Sequence, residues 1–153
     1  MIIRFAEESD FIAWQTVAAD VADIFGNPQM ATDPDFIDYA KRKIKQREAL
    51  TACDEGGDCV GFIGFSRTYG RITWLGVLSD FRNRGGGGLL LSAALAELDR
   101  TKEITVETYR DSFPEGRPAR RVYLRHGFVE TETDLFDHLG NERCKMVLPP
   151  QKR

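Results

Sequence analysis

Apolar residues recur along this chain with two spacings, one helical and one extended. Across residues 10–25 they follow one another at intervals of three and four, which predicts an amphipathic helix. Ser9 or Asp10 can cap this helix, and Gly-Asn-Pro at 26–28 ends it. A second helix is predicted to begin at Asp33-Pro34, because an N-cap aspartate followed by proline suits the first helical turn.

Shorter apolar runs predict strands between and after these helices. The predicted order of elements is β-α-α-β-β-β-α-β-α-β-β. Strands are expected near 2–5, 48–53, 58–66, 70–78, 103–109, 127–132 and 143–148, and further helices up to about residue 100 and at about 117–126.

Length and composition are those of an ordinary globular protein. The 153 residues suit a single domain, 1–153, with 42% hydrophobic and 29% charged residues. No apolar run approaches the roughly 20 residues that span a membrane, and the first residues do not resemble a signal peptide, so we expect a cytoplasmic protein. The net charge of −3 argues against broad binding of nucleic acid.

The three cysteines, Cys53, Cys59 and Cys144, are an odd number and lack the spacing of a zinc site. Cys53 and Cys59 flank a turn-like stretch and could lie across from each other in a hairpin. We expect them to be reduced thiols, because disulfides are rare in cytosolic proteins.

Four consecutive glycines, Gly85–Gly88, follow Arg82-Asn83-Arg84 and stand between a predicted strand and a predicted helix. The first N–H groups of a helix have no partner inside it, and the aligned peptide dipoles make that end partly positive. Glycine removes the side chains that would hold a phosphate away, and it permits a positive φ. The pattern therefore predicts a pyrophosphate site, to which two arginines add positive charge.

Two common pyrophosphate motifs do not fit these glycines. A P-loop requires a lysine directly after its last glycine, and Leu89 follows Gly88. A dinucleotide-binding Gly-x-Gly-x-x-Gly turn would need a third glycine where Leu90 stands. A glycine-rich helix entry without a ligand is the remaining alternative, although each helical glycine costs roughly 1 kcal/mol relative to alanine.

Two segments resemble the signatures of the GNAT superfamily of N-acetyltransferases. Arg82, Gly85 and Gly87 match the family's Arg/Gln-x-x-Gly-x-Gly/Ala turn after its fourth strand. Residues 119–128 are similar to its Ala-x-x-x-Tyr-x-x-x-Gly-Phe, with Tyr123 at the family's general-acid position. The resemblance covers about residues 72–128, with the two motifs in the family's order and a predicted strand between them.

The resemblance implies an α+β, GNAT-like single-domain fold, with a mixed central sheet of six to seven strands and about four flanking helices. It also implies acetyl-CoA as co-substrate and direct transfer of the acetyl group to a primary amine of a small molecule through a ternary complex. A protein N-terminus or lysine as acceptor, and a catalytically degenerate acyl-CoA-binding module, stay open as alternatives. No metal is expected, and a homodimer is allowed, although no interface is legible in the sequence.

The resemblance further implies a cofactor site and one catalytic residue. In the family, the exposed backbone of the fourth strand pairs with the pantetheine amides, and residues 76–78 form the matching stretch here. Tyr123, a phenol that is protonated at neutral pH, would donate a proton to the departing thiolate. The implied cofactor-binding residues are Val77, Leu78, Arg82, Asn83, Arg84, Gly85, Gly86, Gly87 and Gly88.

No residue matches the family's general base. Arg71 and Thr105 stand where relatives often carry a glutamate. Glu107 is expected to be a solvated carboxylate, because strand alternation turns it to the opposite face from Val106. Asp80, Asp111 and Glu115 are looser candidates.

The chain departs from the family pattern in three further places. Gly116 stands where the family often has asparagine, and Gly86 where a larger apolar residue is usual. Segment 108–117 is longer than the usual connection, and long loops at an active-site mouth are often functional. We expect it to form the acceptor site together with residues 25–34.

Overall fold

Seven strands form one mixed sheet in this computed structural model, which describes residues 1–151. The strands are β1 (Ile2–Phe5), β2 (Ala49–Cys53), β3 (Cys59–Ser66), β4 (Arg71–Val77), β5 (Ile104–Tyr109), β6 (Val129–Phe136) and β7 (Glu142–Leu148). They lie side by side in the order β1-β2-β3-β4-β5-β7-β6. β4 and β5 run parallel, and the other neighbouring strands run antiparallel.

Helices cover both faces of the sheet. They are α1 (Phe11–Asp20), α2 (Pro34–Lys45), α3 (Gly86–Ala96) and α4 (Arg117–Arg125). α1 and α2 bury Trp14 and Phe36 on one face, while α3 and α4 bury Leu90 and Tyr123 on the other. The predicted order of elements and the predicted α+β fold with a mixed sheet are confirmed.

The predicted ends of three elements are wrong, and one of these is α3, which ends at Ala96 rather than near residue 100. α1 ends at Asp20 rather than near residue 25, because the chain leaves it in tight turns that finish at Gly26, whose φ is +67°. The Asp20 carboxylate accepts hydrogen bonds from the backbone N–H and the hydroxyl of Ser79, which ties the end of α1 to the residues after β4. β6 continues to Phe136, because its pairing with β7 extends well beyond residue 132.

The capping prediction holds for one helix and is wrong for the other. Asp33 caps α2 and accepts the N–H of Asp35 at 2.9 Å. No side chain caps α1, although Ser9 or Asp10 was expected to do so. The Asp10 carboxylate instead accepts two hydrogen bonds from Arg4, at 2.7 and 3.0 Å, which join α1 to β1.

Cys53 and Cys59 lie opposite each other in the β2–β3 hairpin, as predicted. Their sulfur atoms are 3.1 Å apart, and both residues are free thiols. Burial raises the pKa of the Cys59 thiol to about 12, so it stays protonated at neutral pH. A protonated thiol is a poor nucleophile, which is consistent with reduced cysteines.

A β-bulge in β4 separates this strand from β5. Trp74 lies opposite Gly64 of β3, whereas Ile72 lies opposite the next residue, so Thr73 is an extra residue in the ladder. β4 pairs with β5 at Arg71 and Thr105. Within residues 1–151 no later pair joins the two strands, and a gap opens between them toward the C-terminal end of β4.

Asp10 is expected to make folding stability depend on acid. The hydrogen bonds from Arg4 lower the pKa of its carboxyl below the usual value of about 3.9. A lowered native pKa adds stability above the unfolded-state pKa, and that stability is lost as the pH falls through the native pKa. We expect Asp10→Asn to lower the unfolding free energy by about 1–2 kcal/mol at pH 7, allowing for the partly hydrated Arg4. The difference from wild type shrinks below about pH 4.

Glu8→Gln is the matched control, because Glu8 is exposed on the same turn and its side chain has no partner within residues 1–151. Urea unfolding of the three proteins at a series of pH values measures the effect. Equal stability of Asp10→Asn and wild type at pH 7 would contradict this account of Asp10.

Candidate active site

The edge of β4 that faces the gap presents backbone groups without a strand partner. The N–H of Leu78 donates to the carbonyl of Val60, so Leu78 and Gly76 direct their backbone groups toward β3. Leu75 and Val77 therefore direct theirs toward the gap. Of the stretch 76–78 that the sequence suggested, only Val77 faces the gap, and Leu75 joins it.

The glycine-rich turn begins α3 with a row of unpaired amides. Asn83 and Gly85 have φ values of +66° and +83°, which turn the chain sharply into the helix. Leu89 is the first residue whose N–H reaches back to the turn, bonding to the carbonyl of Gly85 at 3.0 Å. Within the described chain, the N–H groups of residues 83–88 have no acceptor. These amides and the positive end of the helix dipole suit an anion.

A first cleft of about 180 Å³ lies between this turn, the open edge of β4 and α4. Seven of the nine predicted cofactor residues line it: Val77, Arg82, Asn83, Gly85, Gly86, Gly87 and Gly88. Leu78 does not, because it packs on the α1–α2 side of the sheet. Arg84 does not either, because its guanidinium lies over the ring of Phe81, 5.0 Å from the ring centre.

Arg82 holds the turn against the strand. Its Nε donates to the carbonyl of Val77 at 3.3 Å, and Arg82 lines the first cleft. Arg121 and Arg125 of α4 line the same cleft. The cleft is therefore bordered by positive charge on two sides, although sequence reasoning had named only the arginines of the turn.

Met1 fills the space that a side chain at Gly86 would take. A Cβ built on Gly86 would lie 3.1 Å from the sulfur of Met1 and 3.9 Å from Val77. Gly86 is itself buried. Met1 thus occupies the space of the larger apolar side chain that the family usually carries at the position of Gly86.

A second cleft of about 140 Å³ continues from the first on the other side of the gap. Ile24, Leu75 and Ala119 line both clefts and mark the point where they meet. The other residues that line the second cleft are Phe25, Ile72, Thr73, Trp74, Val106, Glu107, Thr108, Tyr109, Gly116, Tyr123 and Arg143. Segments 25–34 and 108–117, which the sequence suggested for an acceptor site, both reach this cleft.

Two contacts join the β6–β7 loop to segments that line the second cleft. A Cβ built on Gly26 would lie 3.3 Å from the His138 ring, so the α1–α2 connection touches the β6–β7 loop. The hydroxyl of Tyr109 donates to Asp137 of the same loop at 2.7 Å. On the near side Phe25 stacks on Trp74, with ring centres 5.2 Å apart, which fixes the connection on β4.

Tyr123 lies on α4 at the wall of the second cleft. The residue is only 4% exposed, and its ring packs edge-on against Phe128 with centres 5.5 Å apart. Its hydroxyl has no hydrogen-bond partner among residues 1–151. Burial raises the pKa of this phenol above its usual value, so the hydroxyl is protonated at neutral pH. It is a proton donor free to serve a ligand.

The carboxylates near the site are few. Glu107 is exposed on β5 and lines the second cleft, whereas Glu115 lines the first. Asp111 pairs with Arg117 at 3.5 Å, and Asp80 is exposed outside both clefts. Among the looser candidates for a base, the structure therefore brings none to the second cleft, and Glu107 is the carboxylate that reaches it.

Sequence reasoning missed Thr73 and Arg143. Thr73 is the bulged residue of β4, and its hydroxyl lies 2.5 Å from that of Tyr39. Arg143 reaches the second cleft from β7, a strand far from both motifs. Neither residue carries a sequence pattern that could have identified it, since a bulge and a cross-strand neighbour exist only in the folded sheet.

The described residues include no cluster of three or more His, Cys, Asp or Glu side chains that could hold a metal ion. Within residues 1–151 no helix has the length and apolar character needed to cross a membrane.

Comparisons with known proteins agree with this geometry. Residues 46–130 match the family model of the acetyltransferase (GNAT) domain. No curated protein matches the sequence.

Solved structures share the fold over nearly the whole chain. A GNAT-family acetyltransferase from Bacillus cereus is 17% identical with a TM-score of 0.76, covering 99% of this chain and 98% of that one. Ard1 from Thermoplasma volcanium is 20% identical, with the same TM-score and the same coverage. The yncA protein of Salmonella typhimurium, solved with acetyl-CoA, is 19% identical with a TM-score of 0.76, covering 100% and 95%. The chain therefore belongs to the GNAT family of acetyltransferases and is an acetyl-CoA-dependent acyltransferase.

Proposed function

We propose that this protein transfers the acetyl group of acetyl-CoA directly to a primary amine of a small molecule, in a ternary complex. The observation that carries the proposal is the meeting of two clefts in the gap between β4 and β5. One cleft leads from a row of free amides, and the other holds an unengaged phenol. A donor and an acceptor that enter from opposite sides would meet at Leu75 without a covalent enzyme intermediate.

The first cleft suits the donor. The diphosphate of CoA would accept hydrogen bonds from the N–H groups of residues 83–88, with Arg82 beside them. The pantetheine amides would pair with the open backbone edge at Leu75 and Val77, as an added strand does. This places the thioester in the gap, at the border with the second cleft.

Tyr123 is the proposed general acid. When the amine nitrogen bonds to the carbonyl carbon, the carbon–sulfur bond breaks and the CoA thiolate leaves. The phenolic proton of Tyr123 passes to the sulfur, and the proton that the amine releases then restores the phenol. The amine must attack as a neutral group, and Glu107 is the carboxylate of the second cleft that can accept its proton.

The form of the second cleft favours a small acceptor over a protein chain. Its volume of about 140 Å³ suits a compact molecule. The β6–β7 loop contacts two segments that line this cleft, at Gly26 through His138 and at Tyr109 through Asp137. We expect a cleft whose walls are joined in this way to suit a small molecule better than an extended peptide, which favours a small amine over a protein N-terminus or lysine.

Gly87→Asp should weaken CoA binding at least about tenfold, because a carboxylate would stand among the amides that receive the diphosphate. A Cβ at this position meets Val122 at an ordinary 3.4 Å, so the fold can accept the change. Titration calorimetry with CoA measures the affinity.

Ala96→Asp is the control for Gly87→Asp, since it adds the same charge at the exposed other end of α3. It should bind CoA like wild type. Unchanged affinity in Gly87→Asp would exclude the amide row as the diphosphate site.

Tyr123→Phe should lower kcat by about a hundredfold with little change in the KM for acetyl-CoA, because only the departing thiolate needs the hydroxyl. Since burial raises the pKa of this phenol, Tyr123 should add no loss of wild-type activity up to about pH 10. Initial rates of thiol release across this pH range test both points.

Tyr69→Phe is the control for the loss of a tyrosine hydroxyl, because Tyr69 is 74% exposed and lies outside both clefts. Turnover of Tyr123→Phe within about twofold of wild type, less than 0.5 kcal/mol of barrier, would rule out the general-acid assignment.

A further inference from the structure

An arginine without an acidic partner stands in the second cleft. Arg143 of β7 lies opposite Tyr109 of β5, so their side chains share one face of the sheet. The central carbon of its guanidinium is 4.8 Å from the centre of the Tyr109 ring. Within residues 1–151 no carboxylate lies within 4.0 Å of its nitrogens.

Asp137, the acid of the nearby β6–β7 loop, already accepts four hydrogen bonds. Asp137 accepts the hydroxyl of Tyr109, the N–H groups of Leu139 and Asn141, and the side-chain amide of Asn141, at 2.7 to 3.1 Å. These four hydrogen bonds use the lone pairs of both carboxylate oxygens. Asp137 therefore braces the loop, and it forms no ion pair with Arg143.

The glutamates of β6 and β7 near Arg143 also form ion pairs with other arginines. Glu130 and Glu142 both pair with Arg110, at 3.0 and 2.9 Å. Glu130 additionally binds Arg120 of α4. The protein thus pairs Arg110 and Arg120 with its own carboxylates, whereas Arg143 lines a ligand-sized cleft without such a pair among residues 1–151.

The guanidinium of Arg143 is suited to bind an anion. A guanidinium that lies over an aromatic ring keeps its planar N–H groups free at the edge, and this geometry matches the two oxygens of a carboxylate or phosphate. The charge of Arg143 also acts against the effect of burial on the pKa of Tyr123, so the guanidinium lies within electrostatic reach of that hydroxyl. An anion held by Arg143 would therefore sit beside the reaction site.

The charge of Glu107 favours a carboxylate over a phosphate as the anion that Arg143 binds. It lies on the same face of β5 as Tyr109 and is the carboxylate of the second cleft. Lys145, its neighbour on β7, lies 3.9 Å from Glu132 instead. A doubly charged phosphate would be repelled by Glu107, whereas a molecule with one carboxylate and one ammonium group matches the pair of opposite charges.

We infer that the acceptor is a primary amine that also carries a carboxylate, an amino-acid-like molecule whose carboxylate binds Arg143 while its amine faces Tyr123 and Glu107. The inference rests on the proposed acetyl transfer to a small amine and names its substrate class. Arg143 is then a specificity-determining residue, and its removal should weaken acceptor binding more than chemistry.

The test compares acceptors that differ only in the anion. Thiol release from acetyl-CoA is measured with the common amino acids, with their carboxamides, with phosphoethanolamine, with acid-free diamines and with short peptides. We expect at least about a tenfold higher kcat/KM for carboxylate-bearing amines than for their carboxamides, the usual effect of one charged hydrogen-bonded pair. Equal rates for acid and carboxamide, or a preference for phosphoethanolamine, diamines or peptides, would overturn the inference.

A second experiment tests the acceptor class by substitution of Arg143. Arg143→Gln should raise the KM for the best carboxylate-bearing acceptor at least about tenfold, while kcat and the KM for acetyl-CoA change less than about threefold. The matching carboxamide should be used equally well by Arg143→Gln and wild type, and Arg143→Lys should recover part of the loss. An equal fall in activity toward acid and carboxamide would show that Arg143 is merely structural and overturn the inference.

Arg71→Gln is the control, because Arg71 also lies beside a tyrosine, 5.9 Å from the ring centre of Tyr69, but outside both clefts. It should leave all rates unchanged. Two measurements distinguish a wrong acceptor class from a wrong function: titration with CoA, and turnover of amines that carry no acid group. Turnover of some amine without preference for a carboxylate overturns only the acceptor class, whereas no turnover of any amine overturns the proposed function with it.

Discussion

The divergence of β4 from β5 is the constraint on which the rest of the site depends. Parallel neighbours in the middle of a sheet normally pair along their length, and unpaired backbone groups away from water are costly. Here the bulge at Thr73 shifts the ladder of β4, and beyond Arg71 the strand pairs with β3 alone among the described residues. The sheet thus keeps its continuity at one end and offers a ready-made edge for a ligand backbone at the other.

The start of α3 complements this open edge. The three glycines that begin the helix, Gly86, Gly87 and Gly88, are a poor choice for helix stability, since a helical glycine costs roughly 1 kcal/mol relative to alanine. They are tolerated because Leu90 and Leu91 immediately after them are fully buried against the sheet. The bare amides of residues 83–88 and the edge of β4 at Leu75 and Val77, which has no strand partner, then lie along one cleft. A diphosphate with a flexible amide-bearing arm suits such a continuous row of donors and acceptors.

Charge on the other side of the gap is distributed unevenly. Asp137, Glu130 and Glu142 form hydrogen bonds and ion pairs that stabilise the β6–β7 hairpin and its contact with α4. Arg143 and Glu107 remain as separate, opposite charges at the wall of the second cleft. The loop of this hairpin also contacts segments that line the cleft, at Gly26 through His138 and at Tyr109 through Asp137.

The sequence by itself determined the order of elements, the glycine turn and the position of Tyr123, because these depend on local spacing and on chemistry carried by neighbouring residues. It could also place Cys53 opposite Cys59, since a short hairpin fixes their register. Only the tertiary structure decided where α1 ends, which backbone groups of β4 face the gap, and that Arg143 lacks a partner. Those outcomes depend on register shifts, long-range packing and competition among charges on distant strands, and no local pattern in a chain encodes them.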